Sequence, residues 1–280
     1  MTFFNKLLIA IDDSTPSHYA IDAGLRVGRA DGATLIFAIV LDPCLLSEDC
    51  SFTAIRQLAE ETASKILADA CSRANQIGIK ADSQIFFDDP VRGIIALATS
   101  QGVGMIVMGT HTRNGITRAL SRSIAEAVLR QTTTPLCVVR KQPVGDRHRH
   151  LLVAVANDDL SAYTIRYATQ AAKSLGSRLT FCTVENAPTA EVEQYLQSAK
   201  QHALDAGVQA DSIIVPRRGQ LSVTILQQAD VGECDAIVMA SHARDGLSRL
   251  IEGSVAETVI RYSDLPVVVL RQQAALGSRI

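Results

Sequence analysis

Short apolar runs of strand length recur along the chain, and each is followed by a longer stretch with helical periodicity. In the first half the runs are "KLLIAI" (6–11), "ATLIFAIV" (33–40), "IKADSQIFF" (79–87), "GMIVMG" (104–109) and "PLCVV" (135–139). The second half repeats them as "HLLVAV", "RLTFCTV", "VQADSIIV", "DAIVMA" and "PVVVL". Near-continuous apolar runs suit strands covered on both faces, as in a parallel sheet. The stretches between them, such as "PSHYAIDAGLRVGRA" and "AIRQLAEETASKILADACSRANQ", predict helices. The first is expected to open with Thr15 as N-cap and Pro16 at the first helical position. Five strands alternating with four helices imply right-handed crossovers and helices on both faces of each sheet. A ligand crevice is then expected at the carboxyl ends of the strands, where strand order reverses.

The same unit is written twice. Residues 105–140 align without a gap on 236–271, an offset of 131, with 15 identities over the 36 positions. They include His111/His242, Arg113/Arg244, Gly115/Gly246, Arg118/Arg249, Ser123/Ser254 and Pro135/Pro266. The starts match at an offset of 144, "LLIAIDDSTPSHYAI" from Leu7 against "LLVAVANDDLSAYTI" from Leu151. The drop from 144 to 131 gives half 1 a net surplus of 13 residues. Its expected place is an extra loop, "DPCLLSEDCSFTA" (42–54), against the terse "ENAPTA" (185–190). The reading is therefore an α/β protein of two tandem, doubly wound, five-stranded parallel-sheet domains (flavodoxin-like or Rossmann-like). They are expected at 1–141 and 150–272, with a polar linker at 142–149 and a tail at 273–280. The "RHRH" of Arg147–His150 reads as solvated linker, with metal binding a remote second.

Composition narrows the function classes. The chain has 280 residues and a net charge of −2, which gives no electrostatic footprint for nucleic acid or an anionic membrane surface. No run approaches the roughly 18–20 apolar residues that span a bilayer, and "MTFFNKLLIAIDDS" has too short an apolar run for a signal peptide. The expectation is a cytoplasmic protein. None of the six cysteines forms a CxxC pair, so reduced, structural thiols are expected. Cys44 and Cys50 stand near Asp42, Glu48 and Asp49 in a spacing that fits no standard zinc motif. No Ser-His-Asp arrangement, metalloprotease motif or Walker loop is present. Asp88-Asp89 and Asp158-Asp159 read as capping residues at turns.

Several motifs agree in order and spacing, in both halves. Half 1 carries "IAIDDS" after the first strand, "IVLDP" after the second, "IVMGTHTRNGITRALSRSIAEAVLR" and "TPLCVVR". Half 2 carries "IVMASHARDGLSRLIEGSVAETVIR" and "LPVVVLR". With these residues each half resembles a universal stress protein domain, and the chain resembles the tandem members of that family. The resemblance implies a stress-response protein. It also implies pairing of domains through their last strands, so that "TPLCVVR" and "LPVVVLR" make a pseudo-dimer within one chain; a homodimer of chains is compatible with it. Protein partners are unidentified.

Family members with bound ATP carry Gly-x2-Gly-x9-Gly-Ser/Thr, an acid after the first strand and a Val after the second. Early glycines admit close approach of backbone to phosphate, and the final Gly-Ser opens a helix whose terminus holds an anion. Carried onto half 1, the resemblance selects Asp12, Val40, Gly109 and Ser123, with Thr112 and Arg122 in place of glycines. Arg122 is either a phosphate ligand or a plug paired with a carboxylate. Half 2 gives Val184, Gly253 and Ser254, but Ala156 replaces the acid, with Asn157 beside it, and Ala240 and Ala243 replace the early glycines. His111, Arg113 and Arg118, and likewise His242, Arg244 and Arg249, either contact phosphate or stabilise the loop. Three readings follow: an ATP-responsive regulatory protein with a degenerate site, more intact in half 1; a protein-interaction module without nucleotide; and a slow ATPase in which Asp12 and Asp13 hold Mg²⁺. The first two are non-enzymatic.

Overall fold

The computed structural model describes residues 2–43, 50–110, 123–142, 150–156, 158–241 and 255–271, with the backbone alone at 50–52. The chain divides into two compact units, Met1–Gln142 and Pro143–Ile280.

Unit 1 contains β1 (Lys6–Ala10), α1 (Thr15–Asp31), β2 (Thr34–Leu41), α2 (Cys50–Gln76), β3 (Ala81–Phe87), α3 (Pro90–Gln101), β4 (Met105–Gly109), α4 (Ile124–Gln131) and β5 (Leu136–Val139). Its strand order is β3-β2-β1-β4-β5, and every pairing is parallel. Unit 2 contains β6 (His150–Ala154), α5 (Asp159–Leu175), β7 (Arg178–Val184), α6 (Ala190–Asp205), β8 (Ala210–Val215), α7 (Leu221–Val231), β9 (Ala236–Ser241), α8 (Val255–Tyr262) and β10 (Val267–Arg271). Its order, β8-β7-β6-β9-β10, is the same, again with parallel pairings. Strand order reverses between β1 and β4, and between β6 and β9, which puts a crevice at the carboxyl ends of those pairs.

The central strands are buried throughout. Leu7, Leu8, Ile9, Leu35 and Phe37 are inaccessible in unit 1, as are Leu152, Val153 and Phe181 in unit 2. Phe37 and Phe181 are repeat partners at the offset of 144. Their burial on β2 and β7 contributes to the hydrophobic drive at about 25 cal/mol per Å² of apolar surface. Helix ends repeat as well. Gly32 and Gly176, also partners, close α1 and α5 at φ of 77° and 67°, a left-handed turn that glycine adopts without steric cost.

Three expectations are corrected. The N-cap of α1 is Ser14, one residue before Thr15, because Pro16 tolerates either of the first two helical positions. The surplus of half 1 is partly helix: α2 starts at Cys50 and has 27 residues, against 16 in α6. The segment 50–54 is thus the first turn of a longer helix, not loop. His150, placed both at the end of the solvated "RHRH" and at the start of the "HLLVAV" strand, is the first residue of β6 and 6% exposed, so the linker reading fails for it and the strand reading holds.

Candidate functional site

The crevice of unit 1 is built on the turn from β1 into α1. Asp12 follows β1 and is exposed. Its Oδ1 accepts from the Ser14 amide at 3.1 Å and from the Ser17 hydroxyl, while the Asp12 amide donates back to Ser17 Oγ at 2.8 Å. The carboxylate therefore shapes the turn with one oxygen. Pro16, beside Ser17, meets the end of β4: a Cβ on Gly109 would lie 2.5 Å from the Pro16 carbonyl carbon and oxygen. Asp12 and Gly109 are brought to the same turn of α1, one by hydrogen bonds and the other by lack of a side chain. Gly109 is not among the glycines with positive φ, so close packing alone demands it.

The next layer is the start of α4. Ser123 occupies the N-cap position with extended φ and ψ, yet its side chain makes no cap to the helix. Ser123-x-x-Glu126 has capping-box spacing, but the Ser123 hydroxyl instead shares a 3.0 Å hydrogen bond with Thr110 Oγ1. Thr110 is buried, and its amide donates to Val139 O at 3.0 Å. Sequence reasoning passed over Thr110. The signal was there: Thr110 aligns with Ser241, so both copies place a hydroxyl just beyond the fourth-strand run.

Val40 stands near the carboxyl end of β2, half-buried, and faces α3; a Cβ on Gly93 would fall 2.8 Å from its Cγ1. At the end of β3, Asp89 caps α3 by accepting from the Val91 and Arg92 amides at 3.1 and 3.0 Å. Asp88 accepts from Arg92 Nε at 2.7 Å, and that guanidinium holds its carboxyl below the usual range. Both acids are occupied in local structure.

Unit 2 rebuilds the same turn without the acid. The Ala156 amide donates to Ser161 Oγ at 2.9 Å, as Asp12 does to Ser17. Asp158 takes over as N-cap, accepting from the Ser161 amide at 2.7 Å. The carboxylate has moved two positions along the chain and now serves α5. Val184 ends β7, half-buried, and Ala240 lies within β9. A Tyr195 phenol from α6 faces Ser161 and Asp158, and burial lifts it above its usual range. Its repeat partner at an offset of 129 is Ile66, a replacement that sequence reasoning did not weigh.

His111, Thr112, Arg113, Arg118, Arg122, Asn157, His242, Ala243, Arg244, Arg249, Gly253 and Ser254 lie outside the described residues, as do Cys44 and the side chain of Cys50. Among the described residues no group of three or more His, Cys, Asp or Glu side chains is placed to hold a metal ion. No described helix is long and apolar enough to cross a membrane.

The repeated α/β unit has counterparts among known proteins. The family described as "Universal stress protein family" matches residues 3–140 and again 147–271. The chain belongs to the universal stress protein family. Universal stress protein YxiE of Bacillus subtilis is 28% identical over 147 residues, covering 49% of this chain and 99% of its own length. The crystal structure of a universal stress protein from Archaeoglobus fulgidus matches with a TM-score of 0.81 at 22% identity, covering 96% of this chain and 97% of that one. That likeness is one of fold. A universal stress protein solved in complex with cAMP matches with a TM-score of 0.41 at 22% identity, over 49% of this chain and 97% of that one.

Proposed function

We propose that this tandem universal stress protein is a non-enzymatic, cytoplasmic regulatory protein that responds to adenine nucleotide through unit 1. The observation that carries the reading is the start of α4. Ser123 leaves its own helix without a side-chain cap and pairs with Thr110 instead. Two hydroxyls thereby stand at a helix N-terminus, where the dipole and the first amides favour phosphate. Asp12 stands at the end of β1, the strand next to β4. Its Oδ2 has no donor among the described residues, so it can accept from a ribose or base. Val40 adds an apolar contact. Thr110, Ser123, Asp12 and Val40 fit ATP as a ligand at this level, with His111 and Arg122 assigned to its phosphates. Magnesium is a weaker fit, because Asp12 Oδ1 is already bound by Ser14 and Ser17.

A protein-interaction module without nucleotide is the competing reading. It is favoured by Gly109, whose retention is explained by the Pro16 contact with no ligand.

Calorimetric titration of nucleotide-stripped protein with Mg-ATP separates the two. One site per chain is expected, lost in Asp12→Ala and weakened in Asp12→Asn, which keeps an acceptor for the turn. Saturating ligand also stabilises, by about 2.7 kcal/mol at a hundredfold excess over Kd. Absence of both heat and thermal stabilisation at millimolar ATP overturns the proposal in favour of the interaction module.

A further inference from the structure

At the amino-terminal ends of the strands in unit 2 lies a polar cluster, buried at His150 and Cys234 and half-buried at Thr180, that unit 1 lacks. His150 opens β6, and its Nε2 is 2.7 Å from Thr180 Oγ1 on β7. The Cys234 thiol, just ahead of β9, lies 3.7 Å from Nδ1 and 3.9 Å from Nε2. The backbone locks the same place: the His150 amide donates to Asp235 Oδ2, and the Asp235 amide donates to His150 O, each at 2.8 Å. The repeat partners in half 1 are Lys6, Ile36, Val103 and Gly104, which carry no imidazole, no hydroxyl and no thiol. One imidazole thus joins three segments, β6, β7 and the lead into β9.

We propose that the His150–Thr180–Cys234 cluster is an acid-sensitive clasp, through which unit 2 loosens around β6 and β9 on mild acidification while unit 1 stays closed. A neutral imidazole suits the site. It is 6% exposed, and burying an extra cation without a counter-charge is costly. The groups acting on it come from each neighbouring segment. Arg178, its register partner on β7, opposes protonation; Asp235 ahead of β9 and Asp211 on β8 favour it. Asp211 is itself engaged by Lys200 of α6 at 3.3 Å. The Gly232 carbonyl after α7 also favours the charged ring, and Cys234 is a neutral neighbour, its thiol pushed up to about 11 mainly by burial. Desolvation is the largest influence and prevails, holding His150 below its ordinary value.

The folded state therefore binds fewer protons than the unfolded chain just below the ordinary value near 6.5. The stabilisation is complete above that value and is lost as pH falls toward the lowered value of the folded state.

Hydrogen exchange on the whole chain tests this between about pH 7.5 and 5.5, where histidine is the side chain that ordinarily titrates. After correction for intrinsic rates, protection in 150–154 and 236–241 is expected to fall with pH, while protection in 6–10 and 105–109 holds. His150→Gln keeps a donor and an acceptor but has no proton to gain, so its protection is expected to stay level. Equal losses in both units, or an undiminished loss in His150→Gln, overturn the clasp. Arg178→Gln is the second variant and leaves the cluster itself intact. Its His150 ring resonances are expected to titrate at higher pH than in the parent, with a smaller acid-induced loss. A parent His150 that titrates at or above 6.5, or an unmoved midpoint in Arg178→Gln, overturns it as well.

Discussion

Gly109→Ala tests whether a glycine that resembles part of a phosphate loop is held by ligand or by packing. The new Cβ would lie 2.5 Å from the carbonyl carbon and oxygen of Pro16 and 2.7 Å from Pro16 Cβ. Carbon atoms settle at about 3.5–4.0 Å, so roughly 1 Å must be found. None of the three atoms is the far end of a yielding side chain. The carbonyl belongs to the first turn of α1, which must lift from β4 as a body. Overpacking of this kind costs about 1–3 kcal/mol. In a unit of this size that corresponds to a fall of roughly 3–10 °C in melting temperature.

The assay is a thermal melt of ligand-free protein, with hydrogen exchange to show that the loss falls on α1 and β4. Pro16→Ala in the same chain is expected not to rescue, because alanine keeps both the carbonyl and the Cβ. Ala240→Gly, at the repeat position in β9, is the reciprocal change and removes a side chain that unit 2 accommodates. A Gly109→Ala protein with an unchanged melt refutes the packing argument. If that protein had also lost nucleotide binding, the glycine would belong to the ligand.

Three further substitutions have defined expectations. Asp31→Asn weakens a buried clamp, since Asp31 accepts from the Phe3 and Phe4 amides at 2.7 and 3.0 Å; a loss of about 2 kcal/mol and earlier proteolysis near the amino terminus are expected. Asp89→Ala removes the cap of α3 and should cost about 1 kcal/mol in chemical denaturation without altering nucleotide titration. Thr169→Val should stabilise unit 2 by about 1 kcal/mol, because the Thr169 hydroxyl is fully buried in α5 with no partner among the described residues; a lowered denaturation midpoint would mean that it has one.

The fold was legible because the repeat lets each half check the other. A strand assignment for "KLLIAI" is supported by "HLLVAV", and burial on both faces makes the runs apolar enough to stand out. What stayed hidden depends on contacts distant in sequence. Nothing around Gly109 reveals that Pro16 abuts it, because 93 positions separate them. Ser123 was read as the helix-opening residue of a phosphate-binding pattern, and only the fold shows its hydroxyl turned to Thr110. His150 closes the polar "RHRH" and opens the apolar "HLLVAV", so its neighbours point both ways, and β6 begins at that residue. Local composition reports average solvation, whereas a single buried histidine is decided by what lies across the sheet. The start of α2 was missed although Asp49, of a residue type favoured at N-caps, stands directly ahead of Cys50 in the sequence.

The two copies also show why motif residues should be weighed with their neighbours. Half 1 keeps Gly109 and has Pro16 against it; half 2 has Ala240 and, at the partner of Pro16, Leu160. The atoms that meet Gly109 are the carbonyl and Cβ of Pro16, which any residue but glycine would also present, so the glycine answers to how closely α1 approaches β4 and says little about phosphate. The acid behaves differently. Asp12 and Asp158 each organise the turn into the first helix, from positions two residues apart in the repeat. Moving the acid from the Asp12 position to that of Asp158 keeps the turn and removes a carboxylate from the end of the first strand. The hydroxyls at the fourth strand and following helix persist in both copies, as Thr110 with Ser123 and as Ser241 with Ser254. If the adenine side of the proposed site depends on the acid and the phosphate side on the hydroxyls, unit 2 has lost the first and kept the second. Returning the acid through Ala156→Asp should then add nucleotide affinity to unit 2, measured by calorimetry in an Asp12→Ala background where unit 1 is silent. No gain in that protein would mean that the hydroxyls serve the helix start alone.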